Sequence, residues 1–498
     1  MINENRGNNF AAKKRSMNWR IITWYIGAAL LLVSALMTVS GVIALCTPGD
    51  DSWDPLMYSA LLSGAAGLFP HIFVKRGPHR LTVREGNIIV VGAWFIVCLF
   101  GMLPFALYGG EFTPINALFE SVSGFTTTGA SILNDIEALP RGLQFWRIST
   151  AWVGGVGIVT LFSMLTGQVN RSRLSGSEMS NVAKELFAEE RRDVFANKML
   201  IIYVALTLVT FLALRLTGMG WFDAATHAMS ACSTCGFSTK NSSIAFFDNP
   251  AAEIVLTVAM LVAGIHFGLL FLALLQKRPA NILKSEVSTV FLSLVGIAVS
   301  IVTVDLMVKG GYSSFWTALR DASFQVVSIS TTTGFATKDT TLWPTLSISV
   351  LIVCSLICGC SGSTSGGIKI DRAILAAKGI SRQVKLTVAP NRVYSIHVDG
   401  RIRTDEQISD AYGYIVCYLL IIVVCAAVNI ASGLDFTTGV TASIACIGNV
   451  GPGFGDIGSM SNYAGLPHLL KATSMVEMLV GRLEIFPVLS LLYSFRKK

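Results

Sequence analysis

The chain reads as an all-α polytopic membrane protein. It has four parallel repeats of helix, pore helix and helix around one central pore, preceded by an N-terminal two-helix hairpin. Three observations lead to this fold class. Of 498 residues, 52% are hydrophobic and 14% charged, and the mean hydropathy is +0.61. A soluble globular chain carries about 25% charged residues, and a larger core does not relieve its surface of them. Apolar runs near the ~20 residues that cross a bilayer as a helix recur along the chain. Finally, the stretch Thr126-Thr127-Thr128-Gly129 returns in altered form three times, each time between two long apolar segments.

The first apolar run, 21–45, follows Lys13, Lys14, Arg15 and Arg20. It exceeds the ~7–15 residues of a signal-peptide core, so it reads as a retained helix. Residues 1–80 form the hairpin, with helices near 20–46 and 55–75 and an acidic connection at Asp50, Asp51 and Asp54. The first repeat, 81–170, joins a helix at 86–108, a short segment at 113–124, the Thr-rich stretch and a helix at 143–167. The short segment is too brief to cross and reads as re-entrant. A linker, 171–197, carries charges of both signs; Val182–Phe187 has helical spacing, and a solvated connector is an equal reading.

The second repeat, 198–280, has helices at 198–216 and 250–275 around a short segment at 221–232. The third, 281–380, has helices at 287–308 and 345–380, the latter with a break, around 314–329. A basic linker, 381–409, leads to the fourth, 410–498, with helices at 410–432 and 468–494 around 435–447. The count is ten spanning and four re-entrant helices.

The repeats are tested by registering them on Gly129, Gly236, Gly334 and Gly451. Six residues earlier stand Ser123, Ser230, Ser328 and Ala445; twelve earlier stand Ala117, Ala224, Ala322 and Gly439. All eight are small, as close helix packing in a membrane requires. Each unit starts and ends on the same side, so the repeats are parallel, about an axis along the membrane normal.

The net charge of +8 fits the positive-inside rule rather than nucleic-acid binding. Lys75, Arg76, Arg80 and Arg84 share a side with Arg171, Arg173, Arg191 and Arg192, with Lys277, Arg278 and Lys284, with the run Arg372 to Arg403, and with Arg496, Lys497 and Lys498. Both termini are thereby expected in the cytoplasm. Most of the ten cysteines lie in apolar runs and behave as small hydrophobes. Cys232-x-x-Cys235 has no second pair and no nearby His at ligand spacing, so a metal or redox role gains no support.

The candidate binding residues are Thr126, Thr127, Thr128 and Gly129; Ser233, Thr234, Cys235 and Gly236; Thr331, Thr332, Thr333 and Gly334; and Gly448, Asn449, Val450 and Gly451. Backbone at membrane depth that is not helical must line a water-filled path. Rings of carbonyls replace the water of a dehydrating cation. Glycine supplies the positive φ that aims successive carbonyls one way. The C-terminal ends of the short helices point at the cavity and favour a cation. No stretch contains an acid, which favours a monovalent ion over a hard divalent one. Taken singly, each stretch also reads as a Ser/Thr-Gly turn; four copies in register favour the pore.

The sequence resembles the Trk/Ktr/HKT superfamily of potassium transporters, and within it the bacterial Trk-type TrkH/TrkG subunits. The resemblance rests on TTTGA (126–130), GFST (236–239), STTTGF (330–335), GNVGPGFG (448–455), GCSGSTSGGIK (359–369) and GRLEIF (481–486), and covers nearly the whole chain. The N-terminal hairpin favours Trk over Ktr. The family implies a potassium-translocating subunit in a bacterial inner membrane, and a homodimer with a cytoplasmic nucleotide-binding regulator, TrkA. Potassium is then the transported ion, with no bound organic cofactor and no nucleic-acid partner. Cys235 and Val450 stand where Thr128 and Thr333 occupy the other repeats.

Below the stretches, Gly359, Gly362, Gly366 and Gly367 interrupt the third repeat's second helix, with Cys360, Ser361, Ser363, Thr364 and Ser365 between them. Each glycine costs a helix about 1 kcal/mol relative to Ala. The run reads as a kink or, with the family resemblance, as an intramembrane loop that gates the pore. Arg482 lies within the last apolar helix. It is either a partner-neutralised structural Arg or a pore-wall charge that tunes gating. Glu120, His227, Gln325 and Ala442 share the offset nine before the ring glycines and read as bracing groups; His266 reads as a core group. Lys369 and Asp371 are expected to pair with each other or with Arg482.

The residues thus point to a non-enzymatic monovalent-cation pore. A secondary carrier for a small organic solute is the alternative, and no His/Asp/Glu constellation supports an enzyme. No G-x-G-x-x-G follows a strand, and no Walker motif is present.

Overall fold

A computed structural model describes residues 17–75, 83–168, 192–274 and 280–496. The helical reading of 182–187 and several basic residues counted above (Lys13, Lys14, Arg15, Arg76, Arg80, Arg171, Arg173, Arg191, Lys277, Arg278, Lys497 and Lys498) lie outside the described residues.

Helices α1 (Trp19–Leu45) and α2 (Trp53–Phe73) form the N-terminal hairpin. Gly27 and Gly67 face each other across it; a Cβ on either would come within 3 Å of the other's carbonyl oxygen. Small residues at that crossing let the two backbones touch, as helices in lipid require. The hairpin packs on the first repeat through α1. The Gly142 amide donates to Asp50 at 2.8 Å and the Asn18 amide to Glu85 at 2.8 Å.

The first repeat comprises α3 (Val83–Gly101), α4 (Leu103–Tyr108), α5 (Pro114–Phe125) and α6 (Arg141–Gln168). The second has α7 (Arg192–Leu216), α8 (Trp221–Ser233), α9 (Pro250–Ala263) and α10 (Phe267–Leu274). After α11 (Ala280–Lys284), the third has α12 (Glu286–Val308), α13 (Phe315–Ser330), α14 (Thr345–Ile357) and α15 (Ile370–Val388). A short antiparallel pair, β1 (Ile396–Val398) and β2 (Arg401–Arg403), precedes the fourth: α16 (Asp405–Ala431), α17 (Phe436–Gly448), α18 (His468–Leu483) and α19 (Ile485–Arg496).

The short helices α5, α8, α13 and α17 are buried over most of their length. Ala117, Ala224, Ala322 and Gly439, the small residues at offset twelve, are all among the buried positions. Around them the outer helices expose their apolar faces, such as Val416, Leu419, Leu420, Val423 and Val424 on α16. An apolar outside around a hydroxyl-rich inside inverts the soluble pattern and suits a lipid solvent.

Six described helices are long and apolar enough to cross a membrane, and a seventh counts if the bent pair α9–α10 is one span. Ten spanning helices were expected, the one over 345–380 with a break. The difference lies in the second helices of the four repeats: α6 is unbroken over 28 residues but is not among the six, and the other three are interrupted. The helix expected over 250–275 breaks at residues 264–266, where α9 and α10 meet at 107°. The helix expected over 468–494 breaks at Glu484, whose φ is 64°. The break expected in 345–380 separates α14 from α15. These interruptions face one region, below the four stretches. The expected linker 381–409 is also largely ordered: α15 runs to Val388, and α16 starts at Asp405 under a Thr404–Gln407 capping box.

Candidate functional site

Each short helix ends in the same way. The N–H groups of Thr127, Thr234, Thr332 and Asn449 donate three residues back, to Gly124, Ala231, Ile329 and Cys446. Those of Thr128, Cys235, Thr333 and Val450 donate five back, to Ser123, Ser230, Ser328 and Ala445, at 2.8–3.1 Å. These bonds consume the N–H groups on the helix side of each stretch. The backbone alternates in hand. Thr127, Thr234, Thr332 and Asn449 have φ of 53–58°, and Gly129, Gly236, Gly334 and Gly451 have φ of 80–93°. Alternation of right- and left-handed residues sends N–H groups to one face and carbonyls to the other. With the N–H face turned into the short helix, the carbonyls face away from it.

The four stretches close on one another. A Cβ on Gly129 would overlap the carbonyl oxygen of Cys235. On Gly236 it would meet that of Thr333, on Gly334 that of Val450, and on Gly451 that of Thr128. The order first, second, third, fourth, first is a closed cycle. The cycle runs through Thr128, Gly129, Cys235, Gly236, Thr333, Gly334, Val450 and Gly451. The left-handed residue two before each glycine was missed, because Thr carries no signal for positive φ and Asn only a weak one.

A second ring of contacts lies after the stretches. Arg147 donates to the Ser238 carbonyl at 3.0 Å, joining repeats one and two. Ile244 N–H donates to the Ala336 carbonyl at 3.0 Å, joining two and three. Thr340 N–H donates to Ser459 Oγ at 3.0 Å, joining three and four. Tyr463 N–H donates to the Ser131 carbonyl at 2.8 Å, closing four on one. Further out, Asn241 bridges Ile136 N–H and Asp135; its amide holds the Asp135 carboxyl below the usual carboxylate range.

The residues nine before the glycines brace these segments. Glu120 accepts from Ile132 N–H at 3.0 Å and from Ser131 Oγ, and ion-pairs with Arg147. His227 Nε2 meets Ser238 Oγ at 2.9 Å, and Gln325 donates to the Lys338 carbonyl at 3.1 Å. Ala442 cannot brace; its neighbour Thr441 donates to the Phe454 carbonyl at 3.1 Å and accepts Phe454 N–H at 3.0 Å.

Directly beneath the ring lies the glycine-rich segment between α14 and α15. Its Ser361, Ser363, Thr364 and Ser365 are buried. Gly366 N–H donates to Thr332 Oγ1 at 3.1 Å, and Thr364 Oγ1 donates to the Cys232 carbonyl at 3.2 Å. Cys360 N–H donates to the Gly264 carbonyl and Phe267 N–H to the Gly362 carbonyl, both at 3.0 Å. The kinked-helix reading therefore gives way to a loop. The break between α9 and α10 is its receptor: the carbonyl and N–H freed by losing helix are those the loop binds. His266 sits at this junction, accepting Gly268 N–H at 2.8 Å. The run Gly264-Ile265-His266-Phe267-Gly268 was the available signal.

Arg482 is buried and donates to the Thr364 carbonyl at 2.7 Å and the Gly154 carbonyl at 3.2 Å. Among the described residues, no carboxylate lies within ion-pair reach of it. The expected pairing of Lys369 with Asp371 or Arg482 is corrected. Lys369 and Arg372 both pair with Glu484, at 2.7 and 2.5 Å, and Asp371 accepts Ser361 N–H at 2.7 Å. The break at Glu484 turns that carboxylate toward the foot of the loop, while Arg482 holds its tip. Among the described residues, no group of three or more His, Cys, Asp or Glu could hold a metal.

The family model described as "TrkH: Cation transport protein" matches residues 65–494. The chain is 34% identical to the Trk system potassium uptake protein TrkH of Salmonella typhimurium, over 95% of this chain and 98% of that one. It is 32% identical to the Trk system potassium uptake protein TrkG of Escherichia coli, over 84% and 87%. It superposes on the crystal structure of the potassium transporter TrkH from Vibrio parahaemolyticus with a TM-score of 0.88, at 32% identity over 96% and 99% of the two chains.

Proposed function

We propose, from the premise that the chain belongs to the TrkH family of cation transport proteins, that it carries potassium through the four-stretch ring as the translocating subunit of a Trk-type uptake system. The family is one of transporters rather than enzymes, and this member is a multi-pass membrane protein. The observation that carries the reading is the closed cycle of glycines against neighbouring carbonyls. Sixteen residues in one backbone pattern offer a dehydrated ion uncharged oxygen, the ligation a weakly hydrated monovalent cation accepts. Repeats 81–170, 198–280, 281–380 and 410–498 each supply one quarter. The family's relatives, named as potassium uptake proteins, do not favour an organic-solute carrier.

Purified chain in liposomes takes up Rb⁺ in preference to Na⁺; uptake of an organic solute without cation flux would overturn the reading. The loop from Gly359 to Gly367 is the gate in this account, with Arg482 as its latch. Shortening residues 361–366, or Arg482→Ala, raises Rb⁺ flux about fivefold or more, the worth of one or two buried hydrogen bonds to a charged group. Unchanged flux in both variants would remove the gate. The working assembly is a homodimer in a bacterial inner membrane with both termini cytoplasmic. A TrkA-like nucleotide-binding subunit docks on the basic segments 171–198 and 368–403, and the chain itself needs no organic cofactor.

A further inference from the structure

The four left-handed residues two before the ring glycines, Thr127, Thr234, Thr332 and Asn449, do more than shape the backbone. Each carries a side-chain oxygen, and each is buried. They stand at the last step of the ring before the loop. Thr127 Oγ1 and Asn449 Oδ1 have no hydrogen-bond partner among the described residues. For Asn449 this is pointed, because an amide oxygen only accepts. Its Nδ2 is already spent on Thr128 Oγ1 and the Met478 carbonyl, both at 3.0 Å, which fixes the oxygen's direction. A third oxygen, Thr332 Oγ1, accepts the N–H of Gly366 at 3.1 Å. Asn449 Oδ1 lies 3.1 Å from where a Gly366 Cβ would stand. Gly366 therefore sits between the loop-side oxygens of repeats three and four, and the equivalence of the repeats sets Thr127 and Thr234 around the same mouth.

Buried oxygens without donors are costly, and their natural partner beside a carbonyl ring is a cation. An amide N–H is the positive end of a dipole, and the loop brings one to this mouth. The Arg482 guanidinium of α18 stands close by, donating to the Thr364 carbonyl two residues before Gly366. A cation among these oxygens and the loop's N–H cannot both be held at close range.

We infer that Thr127, Thr234, Thr332 and Asn449 form a loop-side binding site for the transported monovalent cation, at which the ion competes with the Gly366 N–H, so that the ion itself opposes closure of the loop. This rests on the conduction reading above. Permeation and gating then share Thr332: it is a ligand of the site when the loop is away and the loop's anchor when the site is vacant.

The test is hydrogen exchange of peptide 359–369 in full-length protein in lipid nanodiscs, with K⁺ titrated against N-methyl-D-glucamine at fixed ionic strength. K⁺ is expected to speed exchange of the loop about fivefold or more, the scale of one released hydrogen bond. Thr332→Val exchanges fast with or without K⁺. Thr127→Val, which touches no loop atom by hydrogen bond, keeps the loop protected without K⁺ and moves the half-effective K⁺ several-fold upward. Asn449→Asp moves it downward. A loop indifferent to K⁺ in the unmodified protein, or midpoints unmoved in both Thr127→Val and Asn449→Asp, would overturn the inference. Rb⁺ uptake is measured on the same preparation: no uptake sinks the conduction reading, whereas uptake with a K⁺-indifferent loop sinks only this one.

Discussion

Gly334→Ser is expected to reduce Rb⁺ uptake and to erase most of the preference for Rb⁺ over Na⁺. The residue has φ of 80°, and any Cβ there runs into the Val450 carbonyl oxygen and lies 2.7 Å from Pro452 Cδ. A side chain in left-handed backbone costs about 1–3 kcal/mol before any clash. At 1.4 kcal/mol per decade that strain alone disfavours the ring geometry by about 5- to 150-fold. The clash is relieved only by moving Val450, whose carbonyl belongs to the ring, so the damage passes to the next repeat. Gly110→Ala is the control. Its φ is 64°, yet nothing lies within 4 Å of the added carbon. It carries similar strain away from the ring and is expected to leave uptake within twofold, roughly the scatter of surface substitutions. Equal losses in both variants would mean that folding, not ring geometry, is being measured.

The contrast between these glycines bears on what the sequence makes legible. Registering four stretches on one glycine recovers the ring, because every repeat must solve one problem with one backbone, and matched offsets expose the solution. The same registration marks Glu120, His227 and Gln325 as braces. It leaves open what they hold, since their partners lie in irregular segments after the glycine or, for Arg147, on another helix. Asymmetric features were less legible. The break at Gly264 to His266 belongs to the second repeat alone, and its purpose appears only beside Gly362 of the third. A regular helix would aim Glu484, two residues on, away from Arg482. The helix is not regular there, and the left-handed turn sends the carboxylate to Lys369 and Arg372. Local pattern thus found what the repeats share. Contacts between unlike repeats, on which control of the loop depends, required the fold.

Glu120→Gln is expected to lower stability in detergent by about 3–5 kcal/mol, the cost of leaving a buried charge without its partner. Arg147 is 2% exposed and Glu120 fully buried. The guanidinium also lies over the Phe237 ring and donates to the Ser238 carbonyl, so it stays buried after its counter-charge is gone. A loss of that size is a large share of the ~5–15 kcal/mol that holds a typical protein folded. Glu120→Gln combined with Arg147→Met is expected to recover more than half of it, because no unpaired charge then remains. Stability alone does not reveal what the pair does for transport. Glu120 also accepts Ile132 N–H, three residues beyond Gly129, while Arg147 grips the segment after Gly236. The rescued double variant therefore still lacks the tie between the first two quarters of the ring. Denaturant titration should find it folded, and its preference for Rb⁺ over Na⁺ should remain below that of the unmodified protein. Full recovery of both would make the ion pair a packing element only. Recovery of stability without selectivity would make it the strut that holds two quarters of the ring at one spacing.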